Sequence, residues 1–94
     1  MAINHVKGKN RGKVMLYALS TCGWCRRTRA LLDELGVAYD LTDVDLLKGA
    51  AQQEAIDTIK KYNPACNFPT MVINDKKCIV GFQEDEIREA LGGK

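Results

Sequence analysis

The chain has 94 residues, 46% of them hydrophobic, so it is one small domain close to the lower size at which an apolar core suffices without covalent staples. Four cysteines would suit a secreted disulfide-stapled module, but "MAINHVKGKNRGKVMLYAL" offers only the strand-sized "VMLYAL" where a signal peptide needs a longer apolar stretch, and no run approaches membrane-spanning length. A cytoplasmic chain with reduced thiols is expected, and its net charge of +2 is uneven: residues 1–32 hold seven Lys/Arg and no acid, residues 33–94 hold seven Lys/Arg against twelve Asp/Glu, and +7 with −5 gives +2.

The first twelve residues form a basic, Gly-spaced extension carrying Lys7, Lys9 and Arg11, with Lys13 just beyond and a short extra strand at Ile3–Val6. A basic arm of this kind also suits nucleic acid, but no aromatic stacking platform or nucleic-acid motif accompanies it, and none is expected as a partner. Val14–Leu19 is short, apolar and bounded by Gly12 and Ser20-Thr21, which predicts a buried strand. Cys25 to Leu35 places Thr28, Leu31, Leu32 and Leu35 at helical spacing and closes on Gly36. Val37–Asp45 alternates and is rich in strand formers. Ala50 to Tyr62 repeats Ala51, Ala55, Ile56 and Ile59 on one face and stops before Asn63-Pro64. "TMVI" and "CIVGF" flank Asn74-Asp75-Lys76-Lys77 as a hairpin with Asn74 opposite Lys77, and Glu84 to Leu91 is a last helix with an acidic first turn. The order β-α-β-α-β-β-α gives an α/β fold: a four-stranded mixed sheet with helices on both faces.

The chemistry is concentrated in "TCGWC", directly after the first strand. The thiolate is the reactive form of cysteine, and a free thiol near pKa 8.5 supplies little of it at neutral pH. A Cys22 that caps the first helix gains the orphan N–H groups of Gly23 to Cys25 and the positive end of the helix dipole. Nucleophilicity then belongs to Cys22, and Cys25, one turn on, attacks the mixed disulfide that Cys22 forms with a target, leaving a Cys22–Cys25 disulfide. Gly23 lets a partner's backbone approach the sulfur, and Trp24 offers it an exposed apolar face. The alternative is a metal module, with half a zinc site or an iron–sulfur centre at Cys22. His5, the sole histidine, has no paired spacing, and no resident metal or cofactor is expected.

The segment Tyr17–Cys25, followed by Asn67-Phe68-Pro69-Thr70 before the hairpin and Gly81-Phe82 after it, resembles glutaredoxin-like proteins of the thioredoxin fold, over about residues 13–92. The closest likeness is to NrdH-type redoxins and the glutaredoxin-like proteins of anaerobes and archaea. The resemblance implies a cis Pro69, a Phe68 backbone that pairs with a substrate strand, and a substrate surface including Gly81 and Phe82. Glutathione-using members carry a basic residue before the first cysteine, Thr-Val-Pro at the cis proline, and Gly-Gly-acid near the last helix. Here Leu19, Asn67-Phe68-Pro69 and Gly81-Phe82-Gln83 stand there, which puts glutathione in doubt. The implied partners are protein disulfides, ribonucleotide reductase among the candidates, and a disulfide reductase of thioredoxin-reductase or ferredoxin-dependent type as electron donor; a monomer is expected.

Cys66 is placed on the loop facing the redox corner, as an ordinary loop thiol or a third redox thiol. Cys78, set opposite Ile73, is read as structural and too far from Cys66 to bridge it. Met15, Met71 and Phe82 are assigned to the core, while Tyr17, Tyr39 and Tyr62 receive no role. The seven cations before residue 33 are close to the pair in sequence, and Arg26, Arg27 and Arg29 begin its helix, which suggests an acidic surface on the reductase.

Overall fold

Val14–Ala18 (β2) is apolar along its whole length and buried at every position, so it takes the centre of a sheet covered on both faces. The structure, a computed structural model, describes residues 3–92. Around β2 lie Asn4–Val6 (β1), Tyr39–Asp43 (β3), Thr70–Ile73 (β4) and Lys77–Val80 (β5), in the order β1-β3-β2-β4-β5. β2 and β3 are parallel, joined through helix Gly23–Leu35 (α1), and every other pairing is antiparallel. Gly49–Tyr62 (α2) and Glu84–Leu91 (α3) complete the set.

Alternation along β2 divides the core. Val14, Leu16 and Ala18 face Leu31 and Leu32 of α1 and Ile87 and Leu91 of α3, whereas Met15 and Tyr17 face Ala55 and Ile59 of α2. The fold is thus the α/β, thioredoxin-like arrangement expected, with one correction. The sheet has five strands rather than four, because Asn4–Val6 adds an antiparallel edge strand whose His5 stands opposite Asp40, Nδ1 to Oδ1 at 2.7 Å.

Three boundaries also differ. α1 begins at Gly23, two residues before the apolar periodicity, because Cys22 supplies the cap. β3 is shorter than Val37–Asp45: Val37 and Ala38 meet the N-terminal arm, and Val44–Leu46 tightens into a 3₁₀ turn. In the hairpin, Ile73 pairs with Lys77 and Val72 with Cys78, one residue away from the expected register. The cause is Asn74, whose Oδ1 accepts the Lys13 N–H at 2.9 Å and whose own N–H donates to Lys13 O at 2.7 Å, so it serves the arm instead of the ladder. Asn74 and Asp75 both adopt φ near +55°, a conformation that Asn and Asp tolerate in such turns.

The basic extension is exposed, yet it is tied to the fold. Lys9 N–H donates to Gly36 O and Ala38 N–H to Lys9 O, each at 2.8 Å. Gly8 lets the arm come this close, since a Cβ there would lie 2.6 Å from Val37 C and 2.7 Å from both Ala38 N and Gly36 O. Gly8→Ala is therefore expected to destabilise the chain by about 1–3 kcal/mol, the usual size of an overpacking cost, read as a lowered urea midpoint. An unchanged midpoint would show that the arm contributes nothing to folding.

Candidate redox site at the N-terminus of α1

Leu19 to Cys22 link β2 to α1 in a turn closed by the Cys22 N–H donating to Leu19 O at 3.1 Å. Cys22 then takes the N-cap position with extended backbone, φ −85° and ψ 120°, and its Sγ accepts the Cys25 N–H at 3.2 Å. Serine and aspartate are the usual occupants of that position, where their oxygen satisfies an orphan donor. A sulfur there receives the same hydrogen bond and faces the positive end of the helix dipole. Cys22 is partly exposed, whereas Cys25 is buried with only 1% of its surface accessible.

Burial dominates the Cys25 thiol and pushes it up to about 12. Its contact with Cys22 and the negative charge of Asp43 act in the same direction, and the Leu19 backbone partly offsets them. The pair is therefore asymmetric: an accessible sulfur seated on helix donors, and a neutral buried one directly beneath it.

Trp24 projects from the first turn with 57% of its surface exposed. Its ring stacks on Phe82 at 6.1 Å between centroids and 25° between planes, and the Arg27 guanidinium carbon lies 5.1 Å from its centroid. Phe82 was expected in the core and is instead half-buried: its ring touches both the core and Trp24. Gly23 needs no glycine for the fold, because a Cβ there would meet nothing within 4 Å, so that face of the turn is open.

The Phe68–Pro69 peptide is cis. Pro69 is buried, and its carbonyl accepts the Gly81 N–H at 2.8 Å, which joins the segment before β4 to the one after β5. Gly81 has φ +80°, a conformation glycine adopts freely. Phe68 packs against both core clusters, and Cys22 against the α1-side one. The structure thus joins Cys22 to Cys25, Trp24 to Phe82, and Pro69 to Gly81 by direct contacts.

Two supports went unnoticed in the sequence. Asn63 is more than the end of α2. It is buried, and its Nδ2 donates to Thr70 Oγ1 at 3.2 Å and Asn67 O at 3.5 Å, while Thr70 Oγ1 donates to Asn67 O at 2.5 Å. This closed set fixes the loop that carries Phe68 and Pro69. The other is Asp45, whose carboxylate accepts both the N–H and the hydroxyl of Ser20. An Asn next to Pro and an acid after a strand are the sequence signals for them, and both are common.

Cys66 occupies the expected loop, but its side chain packs with the α2-side cluster, whereas Cys22 packs with the α1-side cluster and Cys25 lies within it. Cys78, opposite Val72, is partly buried, and desolvation raises its thiol. All four cysteines are free thiols. Among the described residues no group of three or more His, Cys, Asp or Glu side chains is assembled to hold a metal ion, and no helix is long and apolar enough to cross a membrane.

The family model described as Glutaredoxin matches residues 14–79. Among solved structures, the chain is similar to the glutaredoxin from Methanosarcina mazei Go1, with 53% identity, a TM-score of 0.90, and 97% of this chain and 88% of that chain covered. It is also similar to the methanoredoxin of Methanosarcina acetivorans, with 49% identity, a TM-score of 0.88, and coverage of 92% and 90%. Among curated proteins, the "Gene 56 protein" of Mycobacterium phage L5 is 31% identical over 78 residues, which is 83% of this chain and 71% of that protein.

Proposed function

Since the chain belongs to the glutaredoxin family, whose function is thiol–disulfide oxidoreduction, we propose that it is a dithiol electron carrier that reduces protein disulfides through Cys22 and Cys25. The observation that carries this reading is the asymmetric pair, an accessible Sγ on the α1 N-terminus above a buried neutral thiol. The Cys22 thiolate attacks one sulfur of a target disulfide, and the other sulfur leaves as a thiolate that takes up a proton. Cys25 then loses its proton and attacks the Cys22 sulfur. The second target sulfur departs as a thiolate and is protonated in turn. Two electrons have passed to the target, and the Cys22–Cys25 disulfide awaits two from a reductase. The high position of the Cys25 thiol keeps it from competing for the first attack.

Trp24 and Phe82 form the apolar surface of the site, with Gly23 leaving space for the target chain and Phe68, Pro69 and Gly81 completing the target surface. The residues also speak for a protein reductase in preference to glutathione. Leu19 packs with the α2-side cluster and presents no cation to a carboxylate. Gln83 brings no carboxylate to the place where the glutathione-using pattern has its acid.

Reduction of the interchain disulfides of insulin tests the reading, with a thioredoxin-type reductase, a ferredoxin-dependent reductase or glutathione as the electron source. Turnover with a protein reductase and slow turnover with glutathione are expected. Efficient glutathione-dependent turnover would overturn the donor assignment, and no turnover with any source would overturn the carrier itself.

A further inference from the structure

We propose that Asp45 is a positioning residue for the Cys22 nucleophile, clamping the turn Leu19–Cys22 to the end of β3 so that the sulfur stays seated on α1; this rests on the reading of Cys22 as the attacking thiol. Ser20 N–H lies inside the turn that Cys22 N–H closes on Leu19 O, and it has no backbone partner there. Asp45, 25 residues further along the chain, accepts it through Oδ1 at 2.9 Å and accepts the Ser20 hydroxyl through Oδ2 at 2.5 Å. Two charge-assisted hydrogen bonds to one residue fix its orientation as well as its position. The two Ser20 bonds also hold the Asp45 carboxyl below the usual carboxylate range.

The anchor behind the carboxylate is firm. Asp45 lies in the 3₁₀ turn between the buried side chains of Val44 and Leu47, and the turn continues β3, whose Asp43 is aligned with Ala18 at the end of β2. β2 and β3 therefore leave the sheet side by side, and Asp45 joins them at the point where one becomes the redox turn. Cys22 follows Ser20 by two residues. Its sulfur accepts the Cys25 N–H at 3.2 Å, and a shift of about 1 Å in the turn would carry it beyond hydrogen-bond distance.

Asp45 is exposed and water can replace either of its bonds, so the clamp adds little to global stability. A purely structural role and a positioning role therefore differ in what they move. The test uses the full reduced chain with Asp45→Ala, Ser20→Ala, the two combined, and Ser20→Thr. Iodoacetamide labelling of Cys22 near neutral pH, followed by peptide mass spectrometry, reads the sulfur without any partner. Insulin reduction gives kcat and KM, and urea unfolding gives stability.

Both alanine variants should label Cys22 about three- to tenfold more slowly, as expected for the loss of one or two hydrogen bonds, and kcat should fall by the same factor while KM stays put. The double variant should be no worse than Asp45→Ala, and Ser20→Thr should keep the rate of the unaltered chain. Unchanged labelling in Asp45→Ala overturns the clamp, as does a loss that simply follows a lowered urea midpoint. A Cys22 in the unaltered chain that labels no faster than a free cysteine overturns the nucleophile assignment instead, and the clamp with it.

Discussion

Replacing Cys22 with serine is expected to abolish disulfide reduction, by about a thousandfold or more, because a hydroxyl has no accessible anion to attack a disulfide and the neighbouring thiol, Cys25, is buried. Cys25→Ser is expected to behave differently. It keeps the attacking sulfur and removes only the resolving one, so stable mixed disulfides with target proteins should accumulate and be visible on non-reducing gels. Equal trapping by both variants would reverse or dissolve the assignment. The same pair makes a pH prediction. Folding raises the Cys25 thiol from 9.0 to about 12, so the folded state favours the protonated form. That contribution to stability is fully present below pH 9 and is lost as pH rises through about 12. The reduced chain should therefore lose more stability than Cys25→Ser across that alkaline window, and parallel curves would remove Cys25 as the cause.

Thr70→Val is the second change expected to have a large effect. Its shape is nearly conserved, but its hydroxyl links Asn63 Nδ2 to Asn67 O inside a buried set, and Thr70 itself is fully buried. Losing the hydroxyl leaves Asn63 with the longer 3.5 Å contact to Asn67 O alone, and an unsatisfied buried polar group costs about 1–3 kcal/mol. Urea unfolding should register that loss. Because the set also holds the loop bearing Phe68 and Pro69, insulin reduction should weaken while iodoacetamide labelling of Cys22 stays normal. A stability loss with undiminished insulin reduction would mean that the loop has no part in target binding.

Local patterns in the sequence made most of the architecture legible. The unbroken apolar run at Val14–Ala18, the spacing of Thr28, Leu31 and Leu32, and Gly36 with φ +68° are each decided by a few neighbouring residues, so reading them needs no knowledge of distant contacts. The redox corner belongs to the same class, because cap and helix are contiguous: Cys22, Cys25 and the N–H that links them lie within four residues. The hairpin register was not legible, since it depends on a hydrogen bond between Asn74 and Lys13, 61 positions apart. Nor were the roles of Asn63 and Asp45, whose partners are brought to them by the sheet.

Charge shows the division most clearly. The sequence by itself determined that the first third of the chain is basic and that Arg26 and Arg27 adjoin the redox pair, because helix α1 carries both exposed side chains from its first turns. Only the tertiary structure decided where Arg29, Lys9 and Lys13 go. Arg29 turns to the Tyr39 hydroxyl, and Lys9 and Lys13 are fastened to Gly36, Ala38 and Asn74, at the end of the sheet where β2 begins. From there β2 runs five residues, about 16 Å at strand rise, toward Cys22. That exceeds the screening length of about 10 Å at 0.1 M salt, so the arm's charges are largely hidden from the redox corner. Any electrostatic steering of a partner there falls to Arg26 and Arg27, because closeness along a chain becomes closeness in space only where the fold does not carry the segment to the opposite end of the sheet.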